Sequence, residues 1–392
     1  MREILRARFV VENPDVISDD SALLIENGKI VDKGKYAELK SRWNDSNVRE
    51  FDGVISAGLI NGHTHLELST FRNIPHVDFV DWVLRLVEAR SSFLPDDIIH
   101  KCLNEKHHAE SKGTSYFVNV GNIFEMNVSL GRNQLFQFEQ IGMNPGLAEG
   151  VFDRASTKIG ANSMTAMAIH APYSVSPALM KKIKSYNNSR GMTTSIHISE
   201  TPEEVEFIRS GGGRMTHLLD VRVGKWDFTP AGASPVRYID SLGILDGRTL
   251  CVHSVIVDDE DVRVMSRRGC AVCICVRSNR ELSGSVPPVG KFVESGIRML
   301  LGTDSLASSP SINMFDEAAA FYDEFHGVFS PGEVYNMITA GAAEFLGLAG
   351  KYGSLDIGAA ASIVYVPFDG PKENVLEYFV SEGRNCAGAV EI

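Results

Sequence analysis

Long apolar runs, basic clusters and paired cysteine motifs are what this 392-residue chain lacks. No window approaches the roughly 18 uninterrupted apolar residues of a membrane-spanning helix, so no span is expected. Lys and Arg number 38 against 50 Asp and Glu, giving a formal charge of −12, and they are scattered. Without a basic patch, neither a nucleic-acid backbone nor an anionic membrane surface is an expected partner, and a small molecule is. The first residues, MREILRARFVVENPDV, mix arginines and acids without an apolar stretch; they do not read as a signal peptide, and the cytoplasm is the expected compartment. Low-complexity tracts are absent too, and 44% of residues are hydrophobic, which removes disorder as a basis of function. Six cysteines are present, and CAVCICV sets Cys270 and Cys273 at metal-ligand spacing. No second pair exists to complete a four-thiolate site, and the run is continuously apolar, so these read as core thiols.

The length implies one large barrel or two domains. Near the start, ALLIENGKIVDKG flanks Asn27-Gly28 with two apolar segments, the strongest short hairpin signal. Near the end, YGSLDIGAAASIVYVPFDG and LEYFVSEGRNCAGAVEI again show short strands punctuated by Gly and Pro. Neither end has enough strands to bury a face alone. Residues 1–57 and 353–392 are therefore expected to meet in one small β-sandwich domain. Between them, over 58–352, apolar runs alternate with helical patterns. Strand candidates are GVISAGLINGHTH, 113–122, 146–153, 166–173, 193–200, 249–255, 271–279 and 298–305. Eight strands with intervening helices predict an α/β fold, a distorted (β/α)8 barrel, in preference to an open sheet.

Barrel chemistry sits at the C-terminal ends of the strands. His63 and His65 end the first; being two apart on a strand, they point the same way. His170 ends the fourth, His197 with Glu200 the fifth, His253 the sixth and Asp304 the eighth. Five of the chain's 11 histidines thus fall at strand ends. Any one of them could be a satisfied core residue, but the set argues for a metal centre. His63, His65, His197 and Asp304 suit one divalent ion, Zn²⁺ or else Fe²⁺. Glu200 and His253 remain for proton transfer beside the water such an ion activates.

GLINGHTHLELS, HAPYSVS, HISE, CVHSV and GTDSLAS, in this order and spacing, resemble the amidohydrolase superfamily, and within it the branch of cytosine, guanine and adenosyl-type deaminases and triazine hydrolases. The resemblance spans nearly the whole chain. It implies the same four metal ligands, with Glu200 carrying a proton to a ring nitrogen and His253 orienting or deprotonating water, so that ammonia is displaced from an aminated heterocycle. Binuclear members carry a lysine on the fourth strand; AMAIHAPYS has none, which implies a single ion and leaves His170 to contact substrate. Where relatives show Gly-Lys-x-Ala-Asp near the C-terminus, this chain has GAAASIV.

HTHLELS together with RSNRELSG looks most like deaminases of 6-aminodeoxyfutalosine, a benzoate-bearing adenine nucleoside of menaquinone biosynthesis; S-adenosylhomocysteine and methylthioadenosine are the sister substrates. Arg277 and Arg280 are placed to meet a substrate carboxylate, though a helix cap or solvated ion pair fits them equally. Trp82 offers an aromatic platform. Glu67 falls near a ribose hydroxyl, or supports those that do. A homodimer is expected from the family. The long Gly/Pro-rich segment 224–238, GKWDFTPAGASPVRY, is expected to form a lid. Two other readings stay open: hydrolysis of a cyclic amide or halogenated triazine at the same centre, and a non-catalytic scaffold, against which stands the complete ligand set.

Overall fold

The computed structural model describes residues 2–162, 164–224 and 226–392. The chain divides into two compact units, Met1–Gly62 with His107–Phe117 and Asn313–Ile392, and His63–Lys106 with Val118–Ile312.

In the first unit, strands β1 (Arg2–Asn13), β2 (Val16–Glu26), β3 (Lys29–Lys35) and β4 (Asn47–Ala57) are built from the N-terminal segment. Asn27 (φ +52°) and Gly28 (φ +70°) both take the left-handed conformation that a two-residue hairpin between β2 and β3 requires. β1 pairs antiparallel with β2 and parallel with β4. The C-terminal strands, Ile363–Pro367 and Gly388–Ala389, extend the sheet beyond β4. The two chain ends therefore share one sheet of six strands; the expected sandwich is a single sheet with a core on each face. Leu5, Leu23, Ile25, Ile55 and Ile363 fill one face and Ile4, Ala22, Leu24 and Leu39 the other. This is the period-two alternation of β1 and β2 made visible.

The second sheet has eight strands: β5 (Leu59–Thr64), β6 (Thr114–Gly121), β7 (Gln134–Gln140), β8 (Thr165–Ile169), β9 (Thr194–Ile198), β10 (Thr249–His253), β11 (Ala271–Ile274) and β12 (Arg298–Leu301). They neighbour one another in chain order, β5 to β12, with helices on the connections, as a (β/α)8 barrel demands. Closure comes after β12, where Thr64 and Asp304 form a parallel bridge and Asp304 N donates to His63 O at 3.1 Å. Gly302 makes this approach possible: a Cβ there would stand 2.7 Å from His63 N and 2.8 Å from Cys273 Sγ. Cys270 and Cys273 are free, buried thiols, as read from the apolar run. No helix among the described residues is long and apolar enough to cross a membrane.

One strand lies elsewhere than expected. Residues 146–153 form a turn and the start of the helix Ala148–Ile159, whose buried Ala148, Ala155 and Ile159 follow helical spacing. The third strand is instead β7, QLFQFEQ. Its buried side chains include Gln134, Gln137, Glu139 and Gln140, so polarity hid a strand that tertiary burial made internal. The segment 224–238 also departs from expectation. Lys225 lies outside the described residues; around it, Phe228 stacks on Phe207 at 4.7 Å and Trp226 Nε1 donates to Asp220 at 2.9 Å. None of its described residues lines the cavity described below. Aromatic side chains in the segment found neighbours on the adjacent helix Pro202–Ser210 instead.

Candidate metal and active site

Strand ends deliver the site. His63 and His65 leave β5 on the same side, as alternation requires, and meet His197 from β9: His197 Nε2 lies 3.2 Å from His63 Nε2 and 3.1 Å from His65 Nε2. Asp304 Oδ1 stands 3.7 Å from Nε2 of both His63 and His65. Its other oxygen is taken, accepting from Ser278 Oγ at 2.6 Å and Ser308 Oγ at 2.8 Å, so Oδ1 is the atom left for a cation. His197 Nδ1 donates to the His170 carbonyl at 2.8 Å, which leaves the Nε2 lone pair facing the other two rings. Three imidazole nitrogens and one carboxylate oxygen converging at separations of 3.1–3.7 Å in a buried place are a donor set that fits a divalent transition ion. Burial and the neighbouring His63 charge push His65 down to about 3, and burial holds His197 well below the ordinary imidazole range. His65 and His197 are thereby held neutral, as ligands must be. Burial works against ionising Asp304, but the His63 contact and the surrounding imidazoles hold it well below the usual carboxylate range.

The backbone is strained where these groups turn inward. Ser199, His253, Ser254 and Asp304 all have φ between +51° and +74°, a region that non-glycine residues enter at a cost of about 1–3 kcal/mol each. The Glu204 carboxylate secures the end of β9 by accepting from Ser199 N (3.0 Å) and Glu200 N (2.9 Å). Glu200 itself is buried, and burial together with Asp304 raises its carboxyl well above the ordinary range. Its Oε1 faces His253 Nε2 at 3.5 Å. Asn279 Nδ2 donates to His253 Nδ1 at 2.9 Å, which puts the ring proton on Nε2, toward Glu200.

A cavity of ≈ 460 Å³ opens over this cluster. His65, His197, Glu200, His253 and Asp304 form its floor, and His170, Glu67 and Trp82 also line it. His170 Nδ1 donates to Ser174 Oγ at 2.6 Å, leaving Nε2 free to accept from a bound molecule. Trp82 is anchored through Nε1 to the Ala307 carbonyl at 3.2 Å. Glu67 is fully engaged: Oε1 pairs with Arg90 at 2.8 Å, and Oε2 accepts from Asn122 N and Ile123 N at 2.7 and 3.0 Å. It lines the cavity with both oxygens already bonded within the chain.

Arg277 and Arg280 do not line the cavity. On the helix Val276–Ser283 the spacing turns Ser278, Asn279 and Leu282 inward, which sends residues 277 and 280 to the other side. Arg277 bonds the Ser311 hydroxyl and carbonyl at 2.9 and 2.8 Å, and Arg280 is exposed. The arginines that do reach the cavity are Arg90, neutralised by Glu67, and Arg222, at the end of the helix Arg214–Arg222. Both also line an adjoining cavity of ≈ 690 Å³. Sequence reasoning missed Arg222, Glu139, Ser278, Asn279 and Ser308. Ser278 and Asn279 sat inside RSNRELSG and were passed over for its arginines, whereas Arg222 carries no local signal.

Residues 147–386 match the model of the amidohydrolase family. The chain belongs to the amidohydrolase family. Over 399 residues, covering 92% of this chain and 84% of the relative, this amidohydrolase is 26% identical to a 5-methylthioadenosine/S-adenosylhomocysteine deaminase of Thermodesulfovibrio yellowstonii. It is 28% identical over 304 residues, 72% of this chain and 71% of the relative, to an aminodeoxyfutalosine deaminase of Deinococcus radiodurans. The crystal structure of Helicobacter pylori aminofutalosine deaminase with methylthio-coformycin superposes with a TM-score of 0.85 at 21% identity, over 99% of this chain and 97% of that one. At that identity the likeness speaks for the fold, and it agrees with the barrel and separate sheet described above.

Proposed function

We propose that this amidohydrolase is a metal-dependent hydrolase that removes the amino group of adenine nucleosides. His63, His65, His197 and Asp304 hold one divalent cation, Zn²⁺ by preference, with Fe²⁺ suited to the same donors. Bound there, the cation would supply Lewis acidity that lowers the pKa of water toward neutrality. The chain's own groups do the rest. Glu200, whose carboxyl burial raises well above the ordinary range, gives its proton to the ring nitrogen beside the amino-bearing carbon as the water oxygen adds to that carbon. Asp304 takes the water proton, and His253, with its proton on Nε2, orients the attacking oxygen and Glu200. The proton held by Asp304 passes to the amino group, which leaves as ammonia, and the hydroxyl proton shed as the carbonyl forms restores Glu200 to its acid form.

The observation that carries this reading is the buried Glu200–His253 pair at 3.5 Å, opening into the same cavity as the histidine and aspartate cluster. A cation alone activates water; a neutral carboxylic acid beside it is what a ring nitrogen needs. The relatives' names supply the adenine nucleoside. Arg222, at the rim, takes over the carboxylate-binding role expected of Arg277 and Arg280, which favours substrates with an acidic group distant from the base. Turnover of 6-aminodeoxyfutalosine would tie the enzyme to menaquinone biosynthesis.

Ammonia release by the zinc-loaded protein is the test, measured on methylthioadenosine, S-adenosylhomocysteine, 6-aminodeoxyfutalosine and adenosine, with cytosine, guanine and a chlorotriazine beside them. At least one nucleoside is expected to turn over and to stop doing so after chelation. Release from cytosine, guanine or the triazine only, or from nothing, overturns the reading.

A further inference from the structure

Glu139 ends β7 with its side chain in the cavity and only 5% of it exposed. One oxygen is spoken for, with Asn122 Nδ2 donating to Oε2 at 3.2 Å. The other, Oε1, is buried without a hydrogen-bond partner. A buried carboxyl oxygen left unmatched is expensive, and a bound molecule that supplies the missing partner recovers that cost. The nearby cation, Arg90, is already paired with Glu67 and does not answer it.

The reaction described above gives Glu139 no task. It lies close enough to His65 and His197 to be grouped with them as potential ligands, but its nearest contact there is His197 Nδ1 at 3.9 Å. That nitrogen already donates to the His170 carbonyl and has no lone pair for a metal. The remaining candidate is the substrate. Resting on the nucleoside reading, we infer that Glu139 Oε1 hydrogen-bonds a ribose hydroxyl and so makes the enzyme select ribosides over deoxyribosides and free bases.

The chemistry of the substrate narrows the choice. The ring nitrogens of an N9-substituted adenine only accept. Its one donor, the amino group, sits on the carbon that must face Glu200 and His253. Sugar hydroxyls are the donors left over. A ring nitrogen could answer Oε1 only when Glu139 is protonated, whereas a hydroxyl both donates and accepts and so satisfies it in either state. The Asn122 side chain fixes the carboxyl from its other side, and Glu67 fixes the Asn122 backbone N–H in turn, so the acceptor is held in place before substrate arrives. The sequence expectation that put Glu67 against the ribose thus passes to a neighbour whose oxygen is open.

The experiment compares kcat/KM for methylthioadenosine with that for its 2′-deoxy and 3′-deoxy forms, in zinc-loaded wild type, Glu139→Ala and Glu139→Gln. Wild type should lose about 10- to 100-fold when the recognised hydroxyl is removed. Glu139→Ala should lose as much on the parent compound and little more on the matching deoxy compound, the non-additivity of a direct contact. Glu139→Gln, which keeps an acceptor oxygen, should recover most of the loss. Equal losses in wild type and Glu139→Ala overturn the inference, as does depletion of zinc from Glu139→Ala with metal content restored in no variant but wild type. Should Glu139→Ala fail to fold, wild type alone decides: indifference to both deoxy forms overturns the inference while leaving the deaminase reading standing. No turnover of methylthioadenosine or any other adenine nucleoside overturns both.

Discussion

The floor of the cavity and its rim are built by different rules. On the floor and just beneath it, His63, His65, His197, His253 and Asp304 leave the ends of barrel strands or the turns just after them, are buried or nearly so, and have their orientation set by second partners such as Asn279, Ser278, Ser308 and the His170 carbonyl. Two of the five, His253 and Asp304, sit at left-handed backbone angles that only the surrounding structure can enforce. At the rim, the helices Phe79–Arg90 and Arg214–Arg222 contribute Leu86, Val87, Leu218, Leu219 and Arg222, and Arg222 is exposed. A floor of that kind fixes a reaction; a rim of this kind fixes a substrate, and can change without disturbing the chemistry below.

The largest effects should come from the floor. Asp304→Ala is expected to lose bound metal and measurable turnover together, whereas Glu200→Gln keeps its metal and loses about 10³-fold in kcat. Metal analysis beside ammonia release separates the two, and a Glu200→Gln protein that retains more than a few per cent activity breaks the assignment of Glu200 as proton donor.

Next comes the support beneath the floor. Asn279→Asp replaces a donor with an acceptor and draws the His253 proton from Nε2 to Nδ1. About a 10²-fold fall in kcat is expected with KM nearly constant, a displaced pH profile and an unchanged melting temperature. A profile that coincides with wild type would remove Asn279 from the catalytic arrangement.

Smallest and most selective should be the rim. Arg222→Ala is expected to raise KM about 10-fold for nucleosides that carry a carboxylate and to leave methylthioadenosine, which has none, within about 2-fold. Equal losses on both kinds of substrate would mean that Arg222 shapes the pocket without reading charge, and the division between floor and rim would blur.

The legibility of the sequence follows the same division. GHTH, HISE, CVHS and GTDS could be read because strand ends place residues at fixed local spacing, so period-two geometry and the (β/α)8 pattern suffice to bring them together. Reading failed where tertiary burial overrode local pattern. β7 was missed because its inward positions carry Gln and Glu, and with it went Glu139. In RSNRELSG the arginines drew attention for their charge, yet helical geometry turns Ser278 and Asn279 toward the site.

What the sequence by itself determined is therefore the cluster of strand-end histidines and aspartate with Glu200 beside it, seven of the eight barrel strands, and two chain ends that share a sheet. Local periodicity encodes all of these. Only the tertiary structure decided which arginine meets the cavity, that both oxygens of Glu67 are occupied, and that one oxygen of Glu139 is not. Each depends on what stands opposite a side chain across the barrel or on a neighbouring helix, and contacts between residues distant in sequence leave no trace in local spacing.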